Sequence, residues 1–177
     1  MNKSYGFTLI ELMITLAIVA IVLAVGVPSF QGMMRNNRIA AHTNDFLGSL
    51  NLARSEAIKR GQRVALAPNA VGNWGQGWTI FVDADDDGVL DAGEIILRRH
   101  EAFERNAGLQ QASGSTLRNY ISFAPNGATR FANSDAFQAG TLVLSLCDSE
   151  NQQVSIAING VGRAQVTKGA ATITCTD

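Results

Sequence analysis

Gly6-Phe7-Thr8-Leu9-Ile10-Glu11, followed by Leu-Met-Ile-Thr-Leu-Ala-Ile-Val-Ala-Ile-Val-Leu-Ala-Val-Gly-Val at residues 12–27, is the stretch that decides the fold. Sixteen positions in a row carry no charge after a single acid. Counted from Phe7 to Phe30, the apolar run is about 24 residues long, enough as a helix to cross ~30 Å of hydrocarbon. Lys3 is the only charge in residues 1–6. A secretory signal peptide places its apolar core before a small-residue cleavage site, whereas here the one leader that fits, ending at Gly6, precedes the core. Cleavage there would leave the membrane helix attached. Lys3 on the short side and the polar remainder on the other predict a cytoplasmic N-terminus under the positive-inside rule. The chain is therefore expected to be a single-pass inner-membrane protein with its C-terminal part in the periplasm.

Glu11 is the anomaly in this run. An acid costs up to ~2.5–3.5 kcal/mol at the bilayer centre and less near the interface, so it snorkels to headgroups or finds a partner. The partner that fits most simply is the new α-amino group of Phe7 on another subunit, exposed by cleavage after Gly6.

With these residues in place, Gly6-Phe7-Thr8-Leu9-Ile10-Glu11-Leu12 resembles the class III signal of type IV pilins and type II secretion pseudopilins. The resemblance implies that a prepilin peptidase cuts after Gly6 and methylates the new terminal Phe7. It also implies that Glu11 sets the register between neighbouring subunits. Farther along, Ala53-Arg54-Ser55-Glu56-Ala57-Ile58, Trp74, Gly77-Trp78, Phe81, Asp83 and Gly160-Val161-Gly162-Arg163 are similar to the branch that holds pseudopilin H and the type IV minor pilins. The implied fold is α+β: a long N-terminal helix, transmembrane in its first half and amphipathic in its second, packed on an antiparallel β-sandwich-like domain.

The periodicity agrees. Ile39, Thr43, Phe46, Leu50, Ala53 and Ala57 recur at alternating intervals of four and three, a narrow stripe on a helix. Lys59 and Arg60 suit a helix C-terminus, and Gly61 suits the C′ position. Pro28, two residues after Gly26, predicts a kink or local melting. Strands are expected at 63–67, 78–82, 94–98, 120–123, 141–147, 154–158, 162–166 and 172–175, with a surface loop over 101–115 and a hairpin-type turn at Pro125-Asn126-Gly127. The expected organisation is a leader at 1–6, a membrane and fibre-core helix at 7–30, an amphipathic helix at 31–60 and a β domain at 61–177.

Residues 83–94 form a second informative stretch. Asp83, Asp85, Asp87, Gly88, Asp91 and Glu94 fall at positions 1, 3, 5, 6, 9 and 12 of an EF-hand calcium loop, with Val89 offering the position-7 carbonyl. Calcium is accordingly a candidate ligand, though no cofactor is required. The flanks read as strands rather than the helices of an EF-hand, so a solvated acidic turn is the competing reading. Cys147 and Cys175 are the only cysteines, and an even pair in a periplasmic domain reads as a disulfide, worth on the order of 3 kcal/mol in the chain-entropy model.

No catalytic constellation appears. His42 and His100, read as surface residues, stand without a nucleophile elbow, P-loop or zinc spacing nearby, so an enzyme is not expected. The net charge of −1 excludes a global basic field. Three roles remain: a minor pilin of a tip or priming complex in type IV pilus assembly, a minor pseudopilin of type II secretion, and a minor pilin that captures DNA. The partners implied are other pilins or pseudopilins, prepilin peptidase and the inner membrane. For DNA, the resemblance implies a Gly-Arg-x-Arg motif, but the matching run Gly162-Arg163-Ala164-Gln165 lacks the second arginine. Arg163 and Lys168 alone are a thin phosphate footprint.

Overall fold

A computed structural model describes residues 7–103, 107–111, 115–146 and 152–169. Helix α1 (Leu9–Arg60) is followed by eight strands, β1 (Val64–Ala70), β2 (Asn73–Val82), β3 (Ile96–His100), β4 (Ala107–Gln111), β5 (Ile121–Phe123), β6 (Gly140–Leu146), β7 (Gln152–Ile158) and β8 (Ala164–Lys168). The chain divides into two compact units, Met1–Arg38 and Ile39–Asp177. In the first, the helix exposes Leu9, Ile10, Leu12, Met13 and Ile14, which project around its circumference. Such all-round apolarity suits a lipid or helix-bundle environment. Its helical run passes Pro28 without interruption, so the local melting expected there does not occur.

In the second unit, two four-stranded antiparallel sheets, ordered β3-β2-β1-β5 (sheet A) and β4-β6-β7-β8 (sheet B), enclose one core with the end of α1. The stripe is the buried face: Ile39, Thr43, Phe46, Leu50, Ala53 and Ala57, joined by Ser49. Thr43 and Ser49 donate their hydroxyls to the carbonyls of Ile39 (2.7 Å) and Asp45 (2.9 Å), which lets polar residues sit in an apolar seam. Phe46 meets the rings of Trp74 and Trp78 edge-on, with centroids 5.7 and 5.1 Å away. The helix ends where Gly61 takes φ 64°, its N–H bonded to the Ala57 carbonyl.

The turn at 125–127 forms as expected, with Gly127 at φ 76° and its N–H on the Ala124 carbonyl. Several boundaries differ from expectation: β1 runs on to Ala70 rather than 67, and β2 starts at Asn73 rather than 78, the two pairing as far as Ala70↔Asn73. Residues 101–115 are not all loop, because β4 pairs with β6 from Ala107↔Leu146 to Gln111↔Leu142 and buries Leu109. β3 begins two residues later than the alternation suggested, since Glu94 closes the preceding loop. β8 likewise starts at Ala164, because residues 159–163 form a turn around Gly162 at φ 77°. The strand expected at 172–175 lies outside the described residues.

Candidate functional site

Thr8 caps the N-terminus of α1. Its hydroxyl accepts the Glu11 N–H at 3.3 Å, and its own N–H reaches back to Glu11 Oε2 at 3.5 Å. This reciprocal pair is a capping box, which satisfies two of the orphan donors of a helix N-terminus. The sequence reading missed it, although the signal Thr-x-x-Glu was legible. Glu11 is also the one charged residue between positions 7 and 34, with exposed Phe7, Ile10 and Leu12 around it. Gly6 lies outside the described residues.

The acidic hairpin is built between β2 and β3, confirming strand flanks for residues 83–94. Asp83 is 2% exposed and its two carboxylate oxygens accept the N–H groups of Asp87 and Gly88, both at 3.1 Å. Asp87 Oδ1 accepts the Val89 N–H at 2.7 Å, while Glu94 takes the N–H groups of Ala84 (2.8 Å) and Asp91 (3.0 Å). Carboxylate oxygens of Asp83, Asp85 and Asp87 lie within 4.8 Å of one another. Asp91 and Glu94 fall outside that trio. Hard oxygen donors of this kind suit calcium, but full EF-hand coordination would require Glu94 to exchange its backbone contacts for the ion.

The loop is also docked. Arg63 pairs with Asp86 (2.8 Å) and donates to the carbonyls of Phe131 and Ser134, and the Asn133 N–H bonds the Asp86 carbonyl at 2.8 Å. Gly88, at φ 76°, lies against the Tyr120 ring, leaving no room for a Cβ. This packing by itself requires the glycine that the calcium pattern also demands. No short motif joins Arg63 to Asp86, so nothing local announces the clamp.

Burial, followed by the charges of Glu94 and Asp86, pushes the Asp83 carboxyl up to about 6 from the usual 3.8, against the two N–H groups that pull it down. Repulsion from Asp87, then burial, then Asp85 and Glu94 raise Asp91. Because Asp83 titrates higher when folded, the folded state holds a proton between pH ~4 and ~6 that the unfolded chain has released. Its contribution to stability is fully present below pH ~4 and is lost as pH rises to ~6. In EDTA, the melting temperature of residues 39–177 is expected to show this fall, and Asp83→Asn to flatten it. Calcium supplies the second arm of the experiment. With Kd of ~0.1–1 mM, a few millimolar calcium would add about 1–2 kcal/mol at pH 7. An increase that Asp87→Ala removes identifies a metal centre, whereas an unchanged melt leaves an acidic turn capped by its own backbone.

The histidines are not the surface residues expected. His100 stacks on Trp78 (4.0 Å, interplanar angle 8°), and His42 lies 4.5 Å from the Phe103 ring, both partly buried in the aromatic cluster around Phe46. Arg163 and Lys168 are exposed and flank opposite ends of β8, since Ala164 pairs with Ile158 and Lys168 with Val154. At ~3.3 Å per residue they stand roughly 16 Å apart and form no single anion site. Cys147 and Cys175 lie outside the described residues.

A family model described as "Type II transport protein GspH" matches residues 42–162, more than half of the chain. A second, "Prokaryotic N-terminal methylation motif", matches residues 1–27. "Prepilin peptidase-dependent protein D" of Escherichia coli (strain K12) is 51% identical over 35 residues, 20% of this chain and 24% of that protein. The match thus spans about a quarter of that relative's length. Two crystal forms of the type IV minor pilin FimU from Pseudomonas aeruginosa share the fold. Their TM-scores are 0.54 and 0.51 at 20% and 21% identity, covering 76% and 72% of this chain and 92% and 91% of theirs.

Proposed function

The chain belongs to the family described as type II transport protein GspH, and from that premise we propose that it takes part in type IV pilus assembly as a tip or priming-complex subunit. The chain is a class III prepilin-type minor pilin or pseudopilin, with an apolar N-terminal helix and a structural rather than catalytic fold. The observation that carries the pilus reading is the likeness of 76% of the chain to a protein named as a type IV minor pilin, over 92% of that protein. A place in a type II secretion pseudopilus is the second reading, favoured by the family's own description. DNA capture has the least support, because Arg163 and Lys168 do not converge.

Deletion with complementation separates the first two. Loss of surface fibres, restored by the wild-type chain and with secretion of folded proteins unchanged, is the expected result. Normal piliation with failed secretion would overturn it.

Processing follows from the same reading. Prepilin peptidase is proposed to cut between Gly6 and Phe7 and to methylate Phe7, leaving the helix in the inner membrane and the β unit in the periplasm. A Cys147–Cys175 disulfide is proposed as well. In its support, the Gly169 N–H bonds the Gln153 carbonyl and Gln153 pairs with Ser145, so β8 runs out at the end of sheet B where β6 ends. Peptide mapping of membrane-extracted protein without reductant is expected to find N-methyl-Phe7 as the first residue and a disulfide-linked peptide pair. An intact Met1 terminus in cells with active peptidase, or two freely alkylated thiols, would refute the respective step.

A further inference from the structure

We propose that the open edge of β3, with the groove beside it, receives an extended acidic segment of a partner polypeptide as an added strand of sheet A. β3 is the end strand of the order β3-β2-β1-β5, and β2 is its only strand neighbour among the described residues. A sheet edge offers a row of backbone N–H and C=O groups, and extended segments dock there by main-chain pairing, with side chains supplying specificity. The pairing with β2 is regular from Trp78↔His100 through Thr79↔Arg99 to Ile80↔Arg98. Its one bulge lies beyond, towards Ile96, so the far half of β3 keeps strand geometry.

Charge selects the occupant. Arg98 and Arg99 are consecutive, so their side chains project to opposite faces of the sheet. Both are exposed, and neither side chain makes an ion pair or hydrogen bond among the described residues. Arg99 lines a groove of about 600 Å³ on the outer face of sheet A, floored by Asn69 and Thr79 and walled by Asp87, Leu90 and Tyr120. Negative charge adjoins the strand at Asp87, whose Oδ1 already holds the Val89 N–H, at Asp91 and Glu94 of the preceding hairpin, where Glu94 holds the N–H groups of Ala84 and Asp91, and at Glu101 beyond the end of β3. Within β3 itself the charged residues are the two arginines. Cross-strand partners lie side by side on the same face, so a strand added to β3 would set one residue against Arg99 on the outer face, at the end of the groove, and the next against Arg98 on the other face. Two successive acids flanked by β-branched residues fit this arrangement.

Charged residues on an edge strand also act as guards against unwanted pairing. Here they come with exposed apolar neighbours, Ile95 at 56% and Ile96 at 42%, which a guarded edge would replace. Those isoleucines give the flanking β-branched residues something to cover.

The probe is a fluorescent peptide, acetyl-Thr-Val-Asp-Glu-Val-Thr-amide, titrated against the full chain in detergent micelles, with hydrogen exchange read over residues 95–101. Binding with slowed exchange in that segment is expected. The Arg98→Glu, Arg99→Glu double variant is expected to weaken it about tenfold or more and to bind the same peptide with Lys-Lys at its centre. That swap also shows the variant to be folded. A peptide with proline in place of the central aspartate cannot donate to the ladder and is expected not to bind. Absence of binding at millimolar peptide, equal binding of the proline peptide, or binding without protection at 95–101 would each overturn the proposal and leave the arginines as edge guards.

Discussion

Valine in place of Glu11 is expected to reduce incorporation into fibres by an order of magnitude or more while leaving membrane insertion intact. Removing the acid eases entry into hydrocarbon, so a defect must come from a lost interaction. Two interactions are in view: the capping box with Thr8, and the proposed pairing of the carboxylate with the Phe7 amino group of a neighbouring subunit. Glu11→Gln separates them. Glutamine still closes a capping box but carries no charge, so it is expected to behave like valine if charge sets the register. Immunoblots of sheared fibres against inner-membrane fractions read the outcome. Wild-type incorporation of Glu11→Gln alongside failure of Glu11→Val would assign Glu11 to helix capping alone.

Truncating Phe46 to alanine is expected to destabilise the β unit by about 3–5 kcal/mol, the usual cost of emptying a fully buried phenylalanine site. Phe46 is 0% exposed and each edge-on contact with Trp74 and Trp78 adds ~0.5–1.5 kcal/mol beyond area burial. Against a domain stability of roughly 5–15 kcal/mol this is a large fraction. Ile58→Ala, on the same helix but 53% exposed, is expected to change stability by about 0.5 kcal/mol or less. Urea denaturation of residues 39–177, followed by tryptophan fluorescence, measures both. Equal effects would contradict the assignment of one helix face to the core.

Phe46 was legible before any coordinates because helical spacing is a local property. The intervals from Ile39 to Ala57 name the buried face whatever it packs against, and the structure buries those six residues. The 125–127 turn was legible for the same reason: Asn-Gly carries its own backbone preference. The capping box is equally local, since Thr8 and Glu11 stand three residues apart. β4 was not legible. Ala-Gly-Leu-Gln-Gln contains one large apolar residue, too little for an alternation signal, and becomes a strand because the edge of β6 supplies its hydrogen bonds. The aromatic setting of His100 was hidden too, since it depends on Trp78 lying across the β2–β3 register.

The acidic hairpin divides along the same line. Its oxygen spacing is written in twelve consecutive residues and suggested calcium. What the carboxylates do depends on partners far along the chain. Arg63 holds Asp86, Tyr120 fills the space over Gly88, and Asp83 is buried and driven to a higher pKa. By itself the sequence determined the apolar helix with its single acid, the stripe, the tight turns and the prepilin-type signal. Each of these is fixed by residues within a few positions of one another, where propensity, capping and periodicity act. Tertiary structure alone decided the order of the two sheets, the strand at 107–111, which acids converge, and which edge stays open. Those outcomes depend on pairings between distant segments, whose free energies no local window contains.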